Sequence, residues 1–462
     1  MSFWCLNGDC LNRLVMAFGR ALSVEPSLLI AAWICALLPG AAEAQDGPGG
    51  ARGELTFSER FLSDEDGEFA RTDLGFSLFS TTRSQFFNLS LNTGIEKDLS
   101  NGLASELEDP RAALSYGLSN RNTALSFDAN YVSSDVSRLT PLDPLDATSA
   151  FVIEDADRET IRGGMQFDFG RASRFGGSLT LNYAAVQFVN TSSTALIDSD
   201  TGRAGLILRF EIDPRITART TFNLTDLDRR GGQDIRTEQL GAGATLLVSS
   251  VLSADIDVGS TRVKQSGIGI NDTNEGAFYD LALQLARPNG ELRGEIRSDI
   301  DENGRRTTLR VDRALELPRG SLNFGIGASQ DDETNGIDPL YSLSYSREGP
   351  RSNFSAGLEQ IFSTDTAGNE TLDSRVNMAL NHELSALSSL DTRLTLRDTR
   401  NDAPGTGDIQ QLDLDLDYTR ALGRDWDFIA GYTYTRQDQD GGANSTENRV
   451  FIGLRLTRGW QR

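Results

Sequence analysis

The sequence of 462 residues contains very little cysteine, lysine or histidine. Its three cysteines lie within the first 35 residues, and its one histidine is His382. The rest of the chain therefore offers no set of zinc ligands and no cysteine nucleophile. His382 continues an apolar alternation near the end of a predicted strand, so it is interpreted as a rim residue and not as a catalytic base. We do not expect an enzyme and predict no cofactor.

Long hydrophobic runs are also missing beyond the N-terminus. A membrane-spanning helix needs about 20 consecutive apolar residues, whereas hydrophobic residues make up only 38% of this chain. The sequence therefore excludes a helical membrane protein. The net charge of −23 makes the chain a poor nucleic-acid binder. The sequence does not exclude a membrane β-barrel, because the strands of such a barrel expose only half of their residues to lipid.

The N-terminus has the pattern of an export signal. Residues 28–38 form an apolar core behind a basic leader, and the small-residue site AEA ends at Ala44. This pattern predicts a cleaved secretory signal peptide over residues 1–44 and an exported domain over residues 45–462. Translation could begin at Met1 or at Met16, since the leader before the apolar core is long for such a signal.

Polar and apolar residues alternate strictly through much of the remaining chain. Residues 412–420 read LDLDLDYTR, which in a strand puts leucine on one face and aspartate on the other. Twenty-two such segments are counted, within a range of 20 to 24, and short turns alternate with longer acidic loops. This rhythm is typical of an all-β, up-and-down antiparallel transmembrane barrel, and an even count puts both chain ends on the turn side.

The last predicted strand, RVFIGLRLTRGW, resembles the C-terminal signal of bacterial outer-membrane β-barrel proteins, specifically poorly characterised porin-like barrels. Ile452, Leu454, Leu456 and Trp460 share one face, while Arg458 interrupts them, and the family norm is a terminal Phe. The resemblance implies export to the outer membrane of a Gram-negative bacterium. It also implies assembly by the barrel-assembly machinery and contact with outer-membrane lipid and lipopolysaccharide. Strands begin soon after the cleavage site, so no plug domain is expected.

The opposite face of the predicted strands is rich in charge. Only two of the 44 basic residues are lysine, and arginine can pair carboxylates with two hydrogen bonds, so cross-strand ladders are expected. Two alternatives explain the same pattern. A codon composition that favours arginine accounts for the scarcity of lysine, and the charges could serve only to solvate a water-filled interior. The predicted pore-lining residues are Asp413, Asp415, Asp417, Asp425, Asp427, Arg293, Glu295, Arg297, Asp391, Arg393, Arg397, Arg209 and Arg219.

The longest predicted loop, Ser133–Arg158, has an unusually apolar middle. In general-diffusion porins the third loop folds into the barrel. By similarity this loop is expected to narrow the lumen through Asp143, Asp146, Glu154, Asp155 and Asp157. An outward loop packed on its neighbours is the alternative. The acidic runs SDEDGE, DDETNG and RQDQDGG are weak candidates for Ca²⁺, because none keeps the spacing of a calcium loop.

These features together predict a passive outer-membrane channel for small hydrophilic solutes, with a preference for cations. Three alternatives stay open. They are a structural barrel or a conduit for polymer export such as an exopolysaccharide, a barrel enzyme, and a secreted soluble β protein. The solute and the oligomeric state are not written in the sequence.

Overall fold

The computed structural model describes residues 50–64, 67–99, 106–135, 156–191, 196–267, 270–302, 304–332, 336–364, 370–401, 408–440 and 444–461. These residues form 22 strands. The strands are β1 (Ala51–Ser63), β2 (Glu68–Thr81), β3 (Gln85–Asp98), β4 (Glu106–Ser119), β5 (Ala124–Asp135), β6 (Asp157–Phe169), β7 (Phe175–Val189), β8 (Ser199–Asp213), β9 (Ile216–Arg229), β10 (Gln233–Leu247), β11 (Leu252–Gly267), β12 (Ile270–Arg287), β13 (Gly290–Asp301), β14 (Gly304–Leu317), β15 (Gly320–Asp331), β16 (Ile337–Glu348), β17 (Ser352–Thr364), β18 (Glu370–Ser385), β19 (Ser388–Asn401), β20 (Ile409–Ala421), β21 (Trp426–Gln439) and β22 (Ser445–Gln461).

Every strand pairs antiparallel with its neighbours in the sequence, and the first strand pairs with the last. The closing pair runs from Arg52 opposite Gln461 to Ser63 opposite Val450. All 22 strands therefore join one closed sheet without a free edge. The predicted closed antiparallel barrel and its count of 22 strands are confirmed.

The connections differ between the two ends of the barrel. Ten connections, each of two to five residues, join even-numbered strands to the next odd-numbered strand. In the turn between β4 and β5, the Asn120 side chain accepts hydrogen bonds from the backbone N–H groups of Asn122 (2.9 Å) and Thr123 (2.8 Å). The eleven connections at the other end range from two to 21 residues. Both ends of the described chain lie on the turn side, because the strand count is even.

One predicted loop is mostly strand in the structure. Residues 262–274 read RVKQSGIGINDTN, a polar stretch that predicts a long connection, but β11 extends to Gly267 and β12 begins at Ile270. Polar residues continue the backbone pairing of β11 with β12 here, so side-chain composition alone does not indicate where these strands end. The described residues contain no helix long and apolar enough to cross a membrane. The predicted signal peptide lies outside the described residues.

The two faces of the wall have opposite character. Directly paired residues share a face, so the register separates an apolar outer face from a polar inner face. Contacts on the inner face skip strands, as when Gln239 of β10 donates to Asp299 of β13 at 3.0 Å, which a concave surface allows. Exposed apolar side chains on the outer face include Leu55, Phe57, Leu74, Val258, Leu283, Leu309, Val311, Ile326, Leu343, Ile452 and Leu454.

The strands are longer than a membrane crossing requires. They contain 12 to 18 residues, whereas a tilted strand crosses the hydrocarbon layer in about 9–11 residues. A bulge interrupts the pairing of β3 with β4, where the register shifts between Asn92 and Gly94. On the opposite strand Asp109 has a φ of 47°, a left-handed conformation that an aspartate tolerates better than most residues.

Candidate functional site

An acidic stripe lies on the inner face of β19 and β20. The register pairs Asp391 with Asp417 and Arg393 with Asp415. Since the side chains of residues two apart point to the same face, Asp413, Asp415 and Asp417 form a continuous column on the barrel interior. We call Asp391, Asp413, Asp415 and Asp417 the acidic stripe.

The acidic stripe is held by neutral hydrogen-bond donors. The Asn381 amide donates to Asp391 at 2.5 Å, and the Thr433 hydroxyl donates to Asp415 at 3.0 Å. Thr435 hydrogen-bonds Asp413. Within the described part of the chain, no arginine lies within ion-pair distance of these four carboxylates. The four carboxylates therefore face the lumen, with Arg393 opposite Asp415 on the same face.

Arginines on the neighbouring strands behave differently, because they are tied to carboxylates along the wall. Arg60 and Arg71 both contact Asp73, at 2.5 and 2.8 Å. On β22, Arg455 contacts Asp427 at 3.0 Å. These contacts compensate much of the charge of Arg60, Arg71 and Arg455 along the wall, while Arg393 lies within the same sector, opposite Asp415.

The acidic stripe and these arginines share one cavity of about 1090 Å³. Strands β1–β4 and β18–β22 contribute its lining, so the cavity spans the closing seam of the barrel. The Phe451 ring lies on this face, with the Arg60 guanidinium 5.2 Å from the ring centroid. Phe451 also covers Gly431, where any side chain would collide with the ring. A polar cavity with fixed charges on its wall can bind and conduct small ions and hydrophilic solutes.

A second charged cluster lies on β9 and β11. The Arg219 guanidinium reaches across β10 to Asp255 at 3.1 Å and to Asp257 at a shorter distance, and it also donates to the Thr245 hydroxyl at 2.7 Å. It can cross because Gly243 lies beneath it, where an added Cβ would meet the Asp257 carboxylate. The arginine thus lies flat on the wall with its charge compensated.

The remaining predicted pore-lining residues also lie on the inner face, except one. Arg293 contacts Glu295 at 2.8 Å, and the other contacts join Arg297 to Asp299 (3.1 Å), Arg397 to Asp373 (3.2 Å) and Arg209 to the Gly170 carbonyl (3.3 Å). Asp425 lies in the turn between β20 and β21, where its carbonyl accepts from the Thr457 N–H at 2.9 Å. The lining role of these residues stays a prediction.

The predicted constriction loop is reached by the structure only at its margin. Asp143, Asp146, Glu154 and Asp155 lie outside the described residues. Asp157 is the first residue of β6, paired with Asp135, and shares the outer face with Ile161. It accepts a hydrogen bond from the Asn190 amide at 3.2 Å. Asp157 therefore begins a strand, and its role in a constriction stays a prediction.

Several acidic residues of the candidate Ca²⁺ runs pair with arginines. Asp64 contacts Arg449 at 3.1 Å, and Asp331 contacts Arg306 at 3.6 Å. Across the described residues, no group of three or more histidine, cysteine, aspartate or glutamate side chains is arranged to hold a metal ion.

Sequence reasoning missed two contributors to the cavity. Asp109 contacts Arg71 at 3.0 Å from a bulged position, and Phe451 is an aromatic residue on a polar face. Neither follows from alternation, which marks apolar residues as outward. The proline that follows Asp109 was the one available signal of an irregular strand.

Comparisons with solved structures agree on the fold. The chain matches the open form of the ferric-catecholate import receptor Fiu from Escherichia coli K12 with a TM-score of 0.55 and 10% identity, covering 90% of this chain and 82% of that chain. The copper transporter OprC matches with a TM-score of 0.51 and 11% identity, over 90% and 82%. A mutant ferric enterobactin receptor PfeA from Pseudomonas aeruginosa, in complex with enterobactin, matches with 0.51 and 9%, over 88% and 81%.

These similarities show a shared 22-stranded barrel fold, which is that of bacterial outer-membrane β-barrel proteins. No family model matches the sequence, and no curated protein matches it significantly.

Proposed function

We propose that the protein is an outer-membrane channel for the passive diffusion of small hydrophilic solutes, with a preference for cations. The acidic stripe carries this proposal. Four carboxylates face a cavity of about 1090 Å³, and three of them, Asp391, Asp413 and Asp415, accept hydrogen bonds from neutral donors, whereas most neighbouring arginines are already paired. In a polar lumen, fixed charge on the wall favours permeant ions of opposite sign.

An open lumen without a plug domain is part of the same proposal. Every strand in the described residues belongs to the barrel wall. A barrel of 22 strands is wide, so its interior must be either open or filled. A conducting protein would therefore distinguish this proposal from a structural barrel or a partner-dependent conduit for polymer export.

The test is conductance of the refolded protein in a planar lipid bilayer with a KCl gradient. We expect stable ohmic steps and a reversal potential of the sign given by cation preference. The variant carrying D413N, D415N and D417N is expected to conduct equally but to lose most of that preference. D398N is the matched control, because Asp398 lies on β19 with its side chain on the outer face.

Two results would reject the proposal. Anion preference in the unmodified protein would remove the role of the acidic stripe. Silence from protein shown to be folded by its heat-shifted gel mobility would remove the open channel.

Active uptake is the second candidate, and the comparisons favour it specifically. The similar structures are an import receptor, an enterobactin receptor and a copper transporter, as their descriptions state. An uptake receptor is expected to bind its ligand tightly and to conduct little. Binding of ferric catecholate or copper by the silent folded protein would support this candidate over the channel.

A further inference from the structure

A dent in the outer face of the barrel lies beside the closing seam. It has a volume of about 730 Å³, and its outward lining is apolar except at one end, where Arg458 lies. Pro110, Ala112 and Thr93 form its floor, and larger apolar side chains such as Phe57 border it. The dent coincides with the bulge opposite Asn92 and Gly94, where the wall departs from regular pairing.

One row of directly paired residues runs the length of the dent. It passes through Arg458, Leu55, Phe76, Leu91, Ala112 and Tyr131, one residue from each of six neighbouring strands. Strands lie about 4.8 Å apart, so the row is about 24 Å long. Its two ends are at different heights, because Arg458 is three residues from the turn-side end of β22 and Tyr131 is seven residues from that of β5.

The difference in height between the two ends of the row matches the thickness of one membrane leaflet. With strands tilted by about 40°, a row of about 24 Å rises about 15 Å, which is half of a hydrocarbon layer about 30 Å thick. Trp460 lies one outward position below Arg458, 6.3 Å from the Phe76 ring between centroids. Tryptophan prefers the interface between lipid and water, and the long Arg458 side chain, one outward position deeper, can extend its guanidinium to that interface.

Arg458 differs from the other arginines of its strand. Arg449 and Arg455 face inward and contact Asp64 (3.1 Å) and Asp427 (3.0 Å). Arg458 faces outward and is exposed. No carboxylate in the described part of the chain forms an ion pair with it. An unpaired cation beside an apolar dent favours an anion from outside the protein, since a charge facing hydrocarbon is costly.

We propose that this dent is a binding site for an anionic phospholipid of the turn-side leaflet. Arg458 binds the phosphate, and one acyl chain lies along the row from Leu55 toward Tyr131. The site does not depend on channel activity, because it lies on the opposite face of the wall. A lipid held there would cover the seam between β1 and β22.

The test uses fluorescence of the full chain carrying W4F, W33F and W426F, which leaves Trp460 as its single tryptophan. The protein is reconstituted in phosphatidylcholine vesicles that contain brominated-acyl phosphatidylglycerol or brominated-acyl phosphatidylcholine as the quencher. One arginine near an anionic lipid corresponds to about a fivefold preference, and we expect Trp460 quenching to report phosphatidylglycerol over phosphatidylcholine by that factor.

R458Q is expected to abolish the preference and R458K to retain it. R420Q is the matched control, because Arg420 is an exposed, outward arginine on the turn side of β20 and does not line the dent. A112F fills the floor while keeping the cation, so it is expected to lower the preference even if R458Q fails to fold. Correct folding of each variant is checked by heat-shifted gel mobility.

Equal quenching by the two lipids in the parent protein would overturn the proposal. An unchanged preference for phosphatidylglycerol in A112F would also overturn the proposal. Arg458 would then attract lipid headgroups without any binding of an acyl chain in the dent. Dimers in detergent that A112F dissociates would assign the dent to a second copy of the chain instead.

Discussion

Arg219 illustrates how single side chains set the charge of the lumen wall. Its guanidinium crosses one strand to reach Asp255 and Asp257, and all three side chains are less than a third exposed. Water screens such a cluster only partly, so its hydrogen bonds contribute more to the stability of the fold than those of a surface ion pair.

D257N is expected to lower the free energy of unfolding by about 1.5–3 kcal/mol, the range for hydrogen bonds to charged groups. The measurement is urea unfolding of the protein in lipid vesicles. D312N is the comparison, because the Arg310–Asp312 pair is more exposed and is worth less than about 1 kcal/mol. Equal losses of unfolding free energy in D257N and D312N would show that the reach of Arg219 across β10 adds no stability.

At this scale alternation predicted the faces but not the partners. The period of two puts Arg219, Asp255 and Asp257 on one face from the sequence alone. Which of them meet depends on the register across the connection after β10, and a one-residue slip would change every pair. The passage of Arg219 over Gly243 also depends on that register. The distinction between compensated arginines and the acidic stripe was therefore not predictable.

The bulge between β3 and β4 shows what a single element adds to the regular barrel. Asp109 has a φ of 47°, and Pro110 follows it without a backbone N–H to donate to the ladder. The same irregularity places the Asp109 carboxylate against Arg71 on the inner face and the dent on the outer face. Alternation did not indicate it, because a bulge adds one residue and leaves the pattern on both sides intact.

D109V and D109N separate the backbone cost from the lost ion pair. Both variants remove the carboxylate that Arg71 contacts, but asparagine tolerates positive φ and a β-branched valine does not. D109V is therefore expected to be less stable than D109N by about 1–3 kcal/mol, the cost of a residue held in a sparsely populated conformation. Urea unfolding in vesicles measures the difference. Equal stability would mean that the strand re-pairs without the bulge.

The whole barrel was the most predictable level of the structure. Closure needs only that each strand pair with its neighbours and that β1 meet β22, and alternation with turn chemistry indicates both. Many different sequences can keep this pattern, because any apolar residue can occupy a position on the outer face. The 9–11% identity to barrels of the same fold is consistent with this weak constraint.

The ten short turns all lie at one end of the barrel, and their length predicts which connections face outward from the cell. In outer-membrane barrels the short turns face the periplasm and the longer loops face the exterior. The chain has no cysteine beyond residue 35, so single cysteines can report each side. Asp440 lies at the loop end after β21, and Gly423 lies in the turn after β20, where an added Cβ meets nothing.

We expect D440C to react in intact cells with a polyethylene-glycol maleimide too large to enter the lumen. G423C is expected to react only after the outer membrane is permeabilised, because its turn would face the periplasm. Labelling after permeabilisation shows that the cysteine itself is reactive, so a negative result for G423C in intact cells is informative. The opposite pattern would invert the barrel in the membrane, and it would place the unpaired Arg458 at the outer leaflet, among lipopolysaccharide phosphates.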